Sequence, residues 1–417
     1  MTIDSEAFRT EPPPDLADPE LYAQDRAGAV WRRLRATQPV CRVERSDRGP
    51  FWAVLSHELI TKVLADAATY SSTHGMRIDA EPTATAAGAG KMMVITDPPQ
   101  HGKIRRIMSS AFTPRTVQRL RNTMRRIVVE LLESAVGADS CDFVEVAARL
   151  PLSVICDLLG VPRQDWDFML RRTMIAFGAG SRGESVDPAG AAIAHTEIFQ
   201  YYQELMRARR REPREDIISA LVHGRIDGRP LTETEIVLNC NGLISGGNET
   251  TRHATLGGLL AFIDNPDQWA LLRARPELLA SAVQEVLRYT APAMHLLRTT
   301  TKATELGGQR LAEGDRVTLW LASGNRDERV FTDPDRFDIT RWPNRHLTFA
   351  YGPHHCIGAA LATTELTVMF EELINRVEAP ALAGPATRMR SNLIGGWDTL
   401  PVRLPPRAVP SRPERRS

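Results

Sequence analysis

The stretch Phe349-Ala350-Tyr351-Gly352-Pro353-His354-His355-Cys356-Ile357-Gly358 does most to limit what this chain can become. One cysteine stands between two glycines, with an aromatic residue upstream and a helix-like run from Ala359 to Phe370 downstream. A cysteine met alone is most often a small buried hydrophobe. The setting here adds chemistry. Gly352, Pro353 and Gly358 permit a tight loop and close backbone approach. The helix that follows aims backbone N–H groups and its positive dipole end at the sulfur. Both effects favour a thiolate, the form that ligates metals. With no second cysteine or paired-histidine spacing nearby, the site is a poor one for zinc. It suits a single axial bond to a haem iron.

The rest of the composition is ordinary for a soluble globular chain: of 417 residues, 42% are hydrophobic and 25% charged. A net charge of +1 gives no pull toward nucleic acid or a membrane. The segment from Met1 to Leu16 is acidic and Pro-rich, without an apolar run, so neither a signal peptide nor an anchor is expected. Cys41, Cys141, Cys156, Cys240 and Cys356 are scattered and odd in number, which fits a reducing cytoplasm rather than a disulfide framework. Lysine is nearly absent beside abundant arginine, as in a GC-rich bacterial genome.

Periodicity outlines a mostly helical chain. Residues 20–37 read as a helix, with Gly28 a weak point, and Cys41–Val43 and Phe51–Leu55 as strands across a turn. His57 to Asp66 is helical, and residues 70–92 read as a long loop. Thr96-Asp97-Pro98-Pro99 starts a helix on which His101 and Arg105 share a face. Residues 117–136, 141–160, 164–176 and 190–211 are helical by period. Gly178-Ala179-Gly180-Ser181-Arg182-Gly183 spells GxGxxG, but no strand precedes it, so it reads as an inter-helix loop. Thr232 to about Asn265 is the longest helical signal. Its centre, Ser245-Gly246-Gly247-Asn248-Glu249-Thr250-Thr251, is poor in helix formers. That centre either breaks the helix in two or opens it locally. Strands are expected at Arg298–Thr301 and Val317–Leu321, and a hairpin over Ser391–Leu404 turning at Gly395-Gly396.

The cysteine stretch resembles the haem-ligand loop of the cytochrome P-450 family. Phe349, Gly352, His354, Cys356 and Gly358 fill the family's places, with Ala350 where Gly is frequent. Four more motifs follow in the family's order. Asp97-Pro98-Pro99-x-His101 with Arg105 looks like the helix that binds the haem propionates, for which charge-assisted arginine–carboxylate bonds are suited. Gly246-Gly247-x-Glu249-Thr250 resembles the oxygen-activation motif: the glycines admit dioxygen, Thr250 holds a water, and Glu249 relays protons. Glu285-x-x-Arg288 resembles the structural acid–base pair. Asp333-Pro334-Asp335-Arg336-Phe337 looks like the segment giving that pair its third partner, assigned to Arg336. Arg298 matches another propionate-binding arginine, and Asn325-Arg326-Asp327 also fits.

The resemblance spans roughly 20–404 and implies one mainly α domain with a small β portion, the cytochrome P-450 fold, with haem b between the 232–265 helix and the Cys356 loop. Residues 1–19 are expected to be a poorly ordered extension and 405–417 a disordered Pro/Arg-rich tail. The implied function is a cytoplasmic, monomeric haem-dependent monooxygenase that hydroxylates or epoxidises a small molecule. Electrons would come from a separate ferredoxin and ferredoxin reductase, so NAD(P)H acts only indirectly. The family pattern places substrate contacts in the 72–94 loop, around 174–180, at Leu243 and Ile244, at Met294, His295 and Leu297, and at Ile394. Most are apolar, which implies a largely apolar substrate, with secondary-metabolite tailoring as the setting. His295 is the one titratable member, and a structural histidine is the better reading of it. Terpenoid, fatty-acid or carrier-protein-tethered substrates, oxidative coupling, a peroxide-using enzyme and a non-catalytic haem binder stay open as alternatives.

Overall fold

The computed structural model describes residues 12–176 and 188–407. The chain opens with α1 (Glu20–Ala23), α2 (Ala27–Thr37), β1 (Val40–Val43), β2 (Phe51–Val54), α3 (His57–Ala65), β3 (Tyr70–Ser71) and α4 (Pro82–Gly88). Next come α5 (Gln100–Ser109), α6 (Pro114–Ala135), β4 (Cys141–Asp142), α7 (Phe143–Leu159), α8 (Trp166–Ala176), α9 (Pro188–Arg211) and α10 (Ile217–His223). The short hairpin β5 (Arg225–Ile226) and β6 (Arg229–Pro230) leads into α11 (Glu233–Asp264), α12 (Pro266–Ala274) and α13 (Leu279–Thr290). Then follow β7 (Leu296–Thr300), β8 (Thr304–Leu306), β9 (Gln309–Leu311), β10 (Arg316–Leu319), α14 (Leu321–Gly324) and α15 (Ala359–Arg376). The chain closes with β11 (Ala381–Leu382), β12 (Thr387–Arg388), β13 (Trp397–Thr399) and β14 (Pro401–Arg403).

The fold is mainly α with a small β portion. α11 is its axis. Thr232 caps it through a reciprocal pair: its hydroxyl accepts from the Glu235 N–H, and the Glu235 carboxylate accepts from the Thr232 N–H. The glycine-rich centre does not divide this helix, which runs unbroken through Gly246, Gly247 and Thr250. Propensity is overruled by packing, since α7 and α13 lie against it and much of its length is buried. One large apolar core joins α6, α7, α11, α13 and α15. The five-stranded sheet has order β1-β2-β10-β7-β3, antiparallel except for β2 beside β10. It stands beside the helical body and directs β7 toward the site.

Several expectations need correction. The break in the first helix falls at Asp25, which has φ 54°, and Gly28 lies inside α2. The 70–92 segment is not all loop. Glu81 accepts from the Thr83 and Ala84 N–H groups and Pro82 takes the first turn, so α4 forms in an Ala/Thr-rich stretch. Pro99 takes the N-cap position of α5 with no side-chain cap, and the Asp97 carboxylate accepts from the Ser72 N–H and the Ser71 hydroxyl, tying β3 to the segment before α5. The terminal hairpin pairs β12 with β13, and Gly395-Gly396 lie at the end of its connection rather than at a tight turn. Ordered packing also passes both expected boundaries. Leu16 is fully buried and its carbonyl accepts from the Tyr22 hydroxyl, while Pro406 bridges to Val377. The GxGxxG residues 178–183 lie outside the described residues. Among the described residues no helix is long and apolar enough to cross a membrane.

Candidate active site

A cavity of about 270 Å³ lies between α11 and the loop before α15. Cys356 opens onto it. The loop is drawn tight by the Cys356 N–H donating to the Phe349 carbonyl at 2.9 Å and the His355 N–H donating to the Gly352 carbonyl at 3.0 Å. Gly352 has φ +71°, and a Cβ there would lie 2.5 Å from the Leu64 carbonyl oxygen, so only glycine fits. Ala350 takes φ 57°, the left-handed region where glycine is the unstrained choice. The protein around Cys356 pushes its thiol up, while the Gly358 N–H and the Arg105 charge pull it down.

The loop is fixed from behind by a buried ionic knot. Glu285 accepts from both Arg288 Nε and Nη2 at 2.8 Å, from Asn344 Nδ2 at 3.0 Å and from the Asp338 N–H at 3.0 Å. The third charged partner is Arg341, whose Nε lies 3.2 Å from Glu285. Arg336 does not fill that role. Its side chain is exposed and only its carbonyl takes part, accepting from Arg288 at 3.1 Å. Arg288 also donates to the Asn325 carbonyl at 2.9 Å. Asn325 in turn holds the Leu347 N–H at 2.6 Å and the Thr348 hydroxyl at 2.9 Å, next to Phe349. Asn325 thus links the knot to the start of the cysteine loop.

Across the cavity, α11 presents Leu243, Gly246, Gly247, Thr250, Thr251 and Ala254, one stripe at helical spacing. A Cβ on Gly246 would meet open space, whereas one on Gly247 would lie 2.8 Å from Ile155 Cδ1. Gly246 therefore keeps the cavity open and Gly247 lets α7 pack close. The Thr250 hydroxyl donates to the Gly246 carbonyl at 2.7 Å. Glu249 does not line the cavity. Its Oε2 lies 2.5 Å from Arg252 Nη2 and 3.4 Å from His253 Nε2. Burial opposes its charge, but His253 and Arg252 outweigh that and hold its pKa below the usual carboxylate value. His253 sits in a slot that exists because residue 396 is glycine: a Cβ there would lie 2.3 Å from its Nδ1.

At one end of the cavity stand His101, Arg105, Arg298 and His354. The His101 and His354 rings are 4.1 Å apart, and Ser72 Oγ lies 3.1 Å from His354 Nε2. Arg298 is buried, donates to the Leu297 carbonyl, and its pKa is lowered to about 10 by burial. Among the described residues neither Arg105 nor Arg298 forms an ion pair with a side chain. Burial and the two guanidinium charges also keep both histidines below their ordinary range. Two arginines facing a cavity without a carboxylate partner call for an anionic ligand. A porphyrin bearing two propionates, bound through one sulfur, satisfies both ends, so the donor set fits haem.

The substrate contacts read from sequence are only partly brought together. Leu243 lines the cavity, but Ile244 points into the apolar core. On the 292–298 segment the wall is made by Pro292, Ala293, Leu296 and Arg298. Leu297 takes the opposite face of β7, as strand alternation requires. Met294 and Ile394 line a separate cavity of about 460 Å³. His295 is fully buried, with Nδ1 against the Asn392 carbonyl at 3.0 Å and Nε2 accepting from the Ile78 N–H at 3.2 Å; it is a structural histidine. Met174 to Ala176 do not line the cavity, and 177–180 lie outside the described residues. The 72–94 segment contributes Met76, Met92, Met93 and Val94. Sequence reasoning missed Asn239, which bonds the Lys91 carbonyl at 2.8 Å and the Met93 N–H at 2.9 Å and so fastens this methionine wall to α11.

A lone sulfur facing a glycine–threonine stripe, with an anion seat at the rim, is the arrangement of a haem-thiolate enzyme, in which the thiolate pushes electron density toward the iron. The family model described as Cytochrome P450 matches residues 189–391. "Cytochrome P450 NovI" of Streptomyces niveus is 36% identical over 392 residues, covering 94% of this chain and 96% of NovI. Linalool 8-monooxygenase of Pseudomonas putida is 36% identical over 403 residues, covering 94% of this chain and 99% of that protein. The crystal structure of P450 OxyD, involved in the biosynthesis of vancomycin-type antibiotics, superposes with a TM-score of 0.88 at 37% identity, covering 94% of this chain and 100% of OxyD. This chain belongs to the cytochrome P450 family. It is an oxygen-incorporating oxidoreductase that uses haem b and dioxygen and takes electrons from redox partners.

Proposed function

We propose that this cytochrome P450 hydroxylates or epoxidises a largely apolar small molecule in secondary metabolism, with electrons from a separate ferredoxin and ferredoxin reductase. The observation that carries this reading is the cavity's composition on the α11 side. Its walls are Met76, Met92, Val94, Leu243 and Leu296, and its buried amide, Asn239, is already bonded to backbone. Among the described residues, that side of the cavity offers no free charged side chain to hold a polar substrate. Methionines give such a wall an adaptable shape. OxyD, involved in the biosynthesis of vancomycin-type antibiotics and 37% identical to this chain, supports the metabolic setting.

The haem supplies the activation of dioxygen. The residues do the rest. Cys356 would ligate the iron, with Phe349 and Gly358 shaping the loop around it. Arg105 and Arg298, assisted by His101 and His354, would bind the propionates. Gly246 keeps room for dioxygen. Thr250, whose hydroxyl now rests on the Gly246 carbonyl, holds the water through which protons arrive. Glu249 feeds that water, and because its carboxylate is paired with Arg252, delivery requires the pair to open.

Turnover of the holoprotein with a surrogate ferredoxin and reductase under labelled dioxygen tests this reading. The panel is linalool, a long-chain fatty acid, and the same acid as a carrier-protein thioester. One labelled oxygen atom in a product of an apolar ligand is expected. Labelled product only from the tethered acid would move the substrate to the carrier-bound class. Unlabelled, dehydrogenated or cross-linked product would replace oxygen insertion with coupling.

A further inference from the structure

Glu365, on α15, is buried to 2% exposure and lines the same cavity as Cys356. Its neighbours one turn away, Leu361, Ala362, Val368 and Met369, are apolar. Among the described residues it makes no ion pair, and its Oε2 has no hydrogen-bond partner. Glu285 is just as deeply buried, yet its carboxylate is bonded by Arg288, Arg341, Asn344 and the Asp338 N–H. Glu285 is a fastener; Glu365 fastens nothing. A leucine or methionine would fill its place in the wall at lower desolvation cost. What a carboxyl adds there is a proton that can come and go.

We infer that the Glu365 carboxyl is the redox-linked proton site of the haem pocket, its charge setting the reduction potential of the iron and being set by it in turn. The inference rests on the haem-thiolate reading of Cys356. When the partner delivers one electron to ferric iron, the cavity gains one negative charge. Above about pH 8, where the carboxyl is ionised, a carboxylate in that low-dielectric wall is disfavoured by it, so Glu365 takes one proton from solvent, leaving ferrous iron and a neutral carboxyl. Linkage is reciprocal: whatever iron reduction does to the proton affinity of Glu365, protonation of Glu365 does to the potential.

Other charges leave this site alone. α6 brings Arg121 and Arg125, which pair with Glu371 and Glu372. α7 brings Asp157, facing Arg119; α12 brings Arg273, bound to Glu378. α13 brings the Glu285–Arg288 pair and α11 the Glu249–Arg252–His253 group. Burial alone displaces Glu365, to about 8. The cavity itself also holds His101, His354 and His355, all lowered, Arg105, and Arg298 at about 10.

Spectroelectrochemical titration of substrate-free holoprotein from pH 6.5 to 9.5 tests the inference, in the native protein and in Glu365→Gln. The native potential is expected to fall as pH rises through about 8, and that of Glu365→Gln to stay flat. The same pH dependence in both proteins, or none in the native one, overturns it. Should the variant fail to take up haem, the reduced-minus-oxidised infrared spectrum of native protein carrying carboxyl-labelled glutamate decides. A label-sensitive protonated-carboxyl band gained on reduction supports the site, and its absence removes it. A carbon monoxide spectrum of the same sample reports the thiolate separately, so failure of that reading is told apart.

Discussion

Glu285 and Arg288 stand one helical turn apart with no solvent exposure, joined by two hydrogen bonds of 2.8 Å. Alone on a surface such a pair is worth little. Here it is desolvated, and removing one partner strands the others. Glu285→Ala leaves Arg288 and Arg341 as buried charges without their acceptor. The expected loss is roughly 3–5 kcal/mol in urea unfolding, together with weaker haem retention through Asn325 and Leu347. A loss under about 1 kcal/mol would show that the knot does not hold the loop.

Thr250 has one bond, to a carbonyl one turn back in its own helix. Thr250→Ala removes a poor helix former and nothing that packs. The unfolding midpoint should stay the same or rise slightly. Product formed per NAD(P)H consumed should fall at least about tenfold, with peroxide released instead, toward the 10²–10⁴ range that loss of a positioned proton donor costs. Unchanged coupling would take the proton route away from Thr250.

Ala350 and Gly352 make opposite predictions two residues apart. Ala350 carries φ 57° with a Cβ, a strain of about 1–2 kcal/mol. Ala350→Gly removes it at a cost of about 0.4–1 kcal/mol in unfolded-chain entropy. A net gain of roughly 0.5–1 kcal/mol is expected in thermal unfolding. Gly352→Ala should destabilise and impair haem uptake, because its Cβ would sit on the Leu64 carbonyl.

His295 gives an acid-stability prediction. Burial lowers its pKa to about 4, against the bond to the Asn392 carbonyl and the nearby Asp79, with Arg77 and Arg316 adding to the lowering. A histidine whose folded pKa is depressed stabilises the fold above its ordinary value near 6.5 and loses that contribution as pH falls toward 4. Between pH 7 and 4.5 this amounts to roughly 2–3 kcal/mol. His295→Gln should show a shallower loss of stability over that range in denaturant titrations. An identical slope would mean that other groups carry the acid lability.

What could be read from the sequence divides along a physical line. The Cys356 loop and the Gly246–Thr250 centre were legible because the chemistry there depends on residue types at short spacing. Alternation in β7 separates Leu296 and Arg298 from Leu297, but only the folded path of the chain before the strand puts Pro292 and Ala293 in the wall and Met294 and His295 outside it. Arg336 and Arg341 are close in sequence, and only the fold decides that one offers a carbonyl and the other a guanidinium. α4 carried a signal in Glu81-Pro82 that its weak periodicity hid. Asn239 and Glu365 leave no trace in a sequence, because a buried polar group is defined by what surrounds it.

Cys356 as the haem ligand is open to one decisive reading, the absorption spectrum of the reduced protein under carbon monoxide. A strongly red-shifted Soret band is expected for the native protein, lost in Cys356→Ala and in Cys356→His. A histidine-like band in the native protein, or a red-shifted band that survives replacement of Cys356, would contradict it.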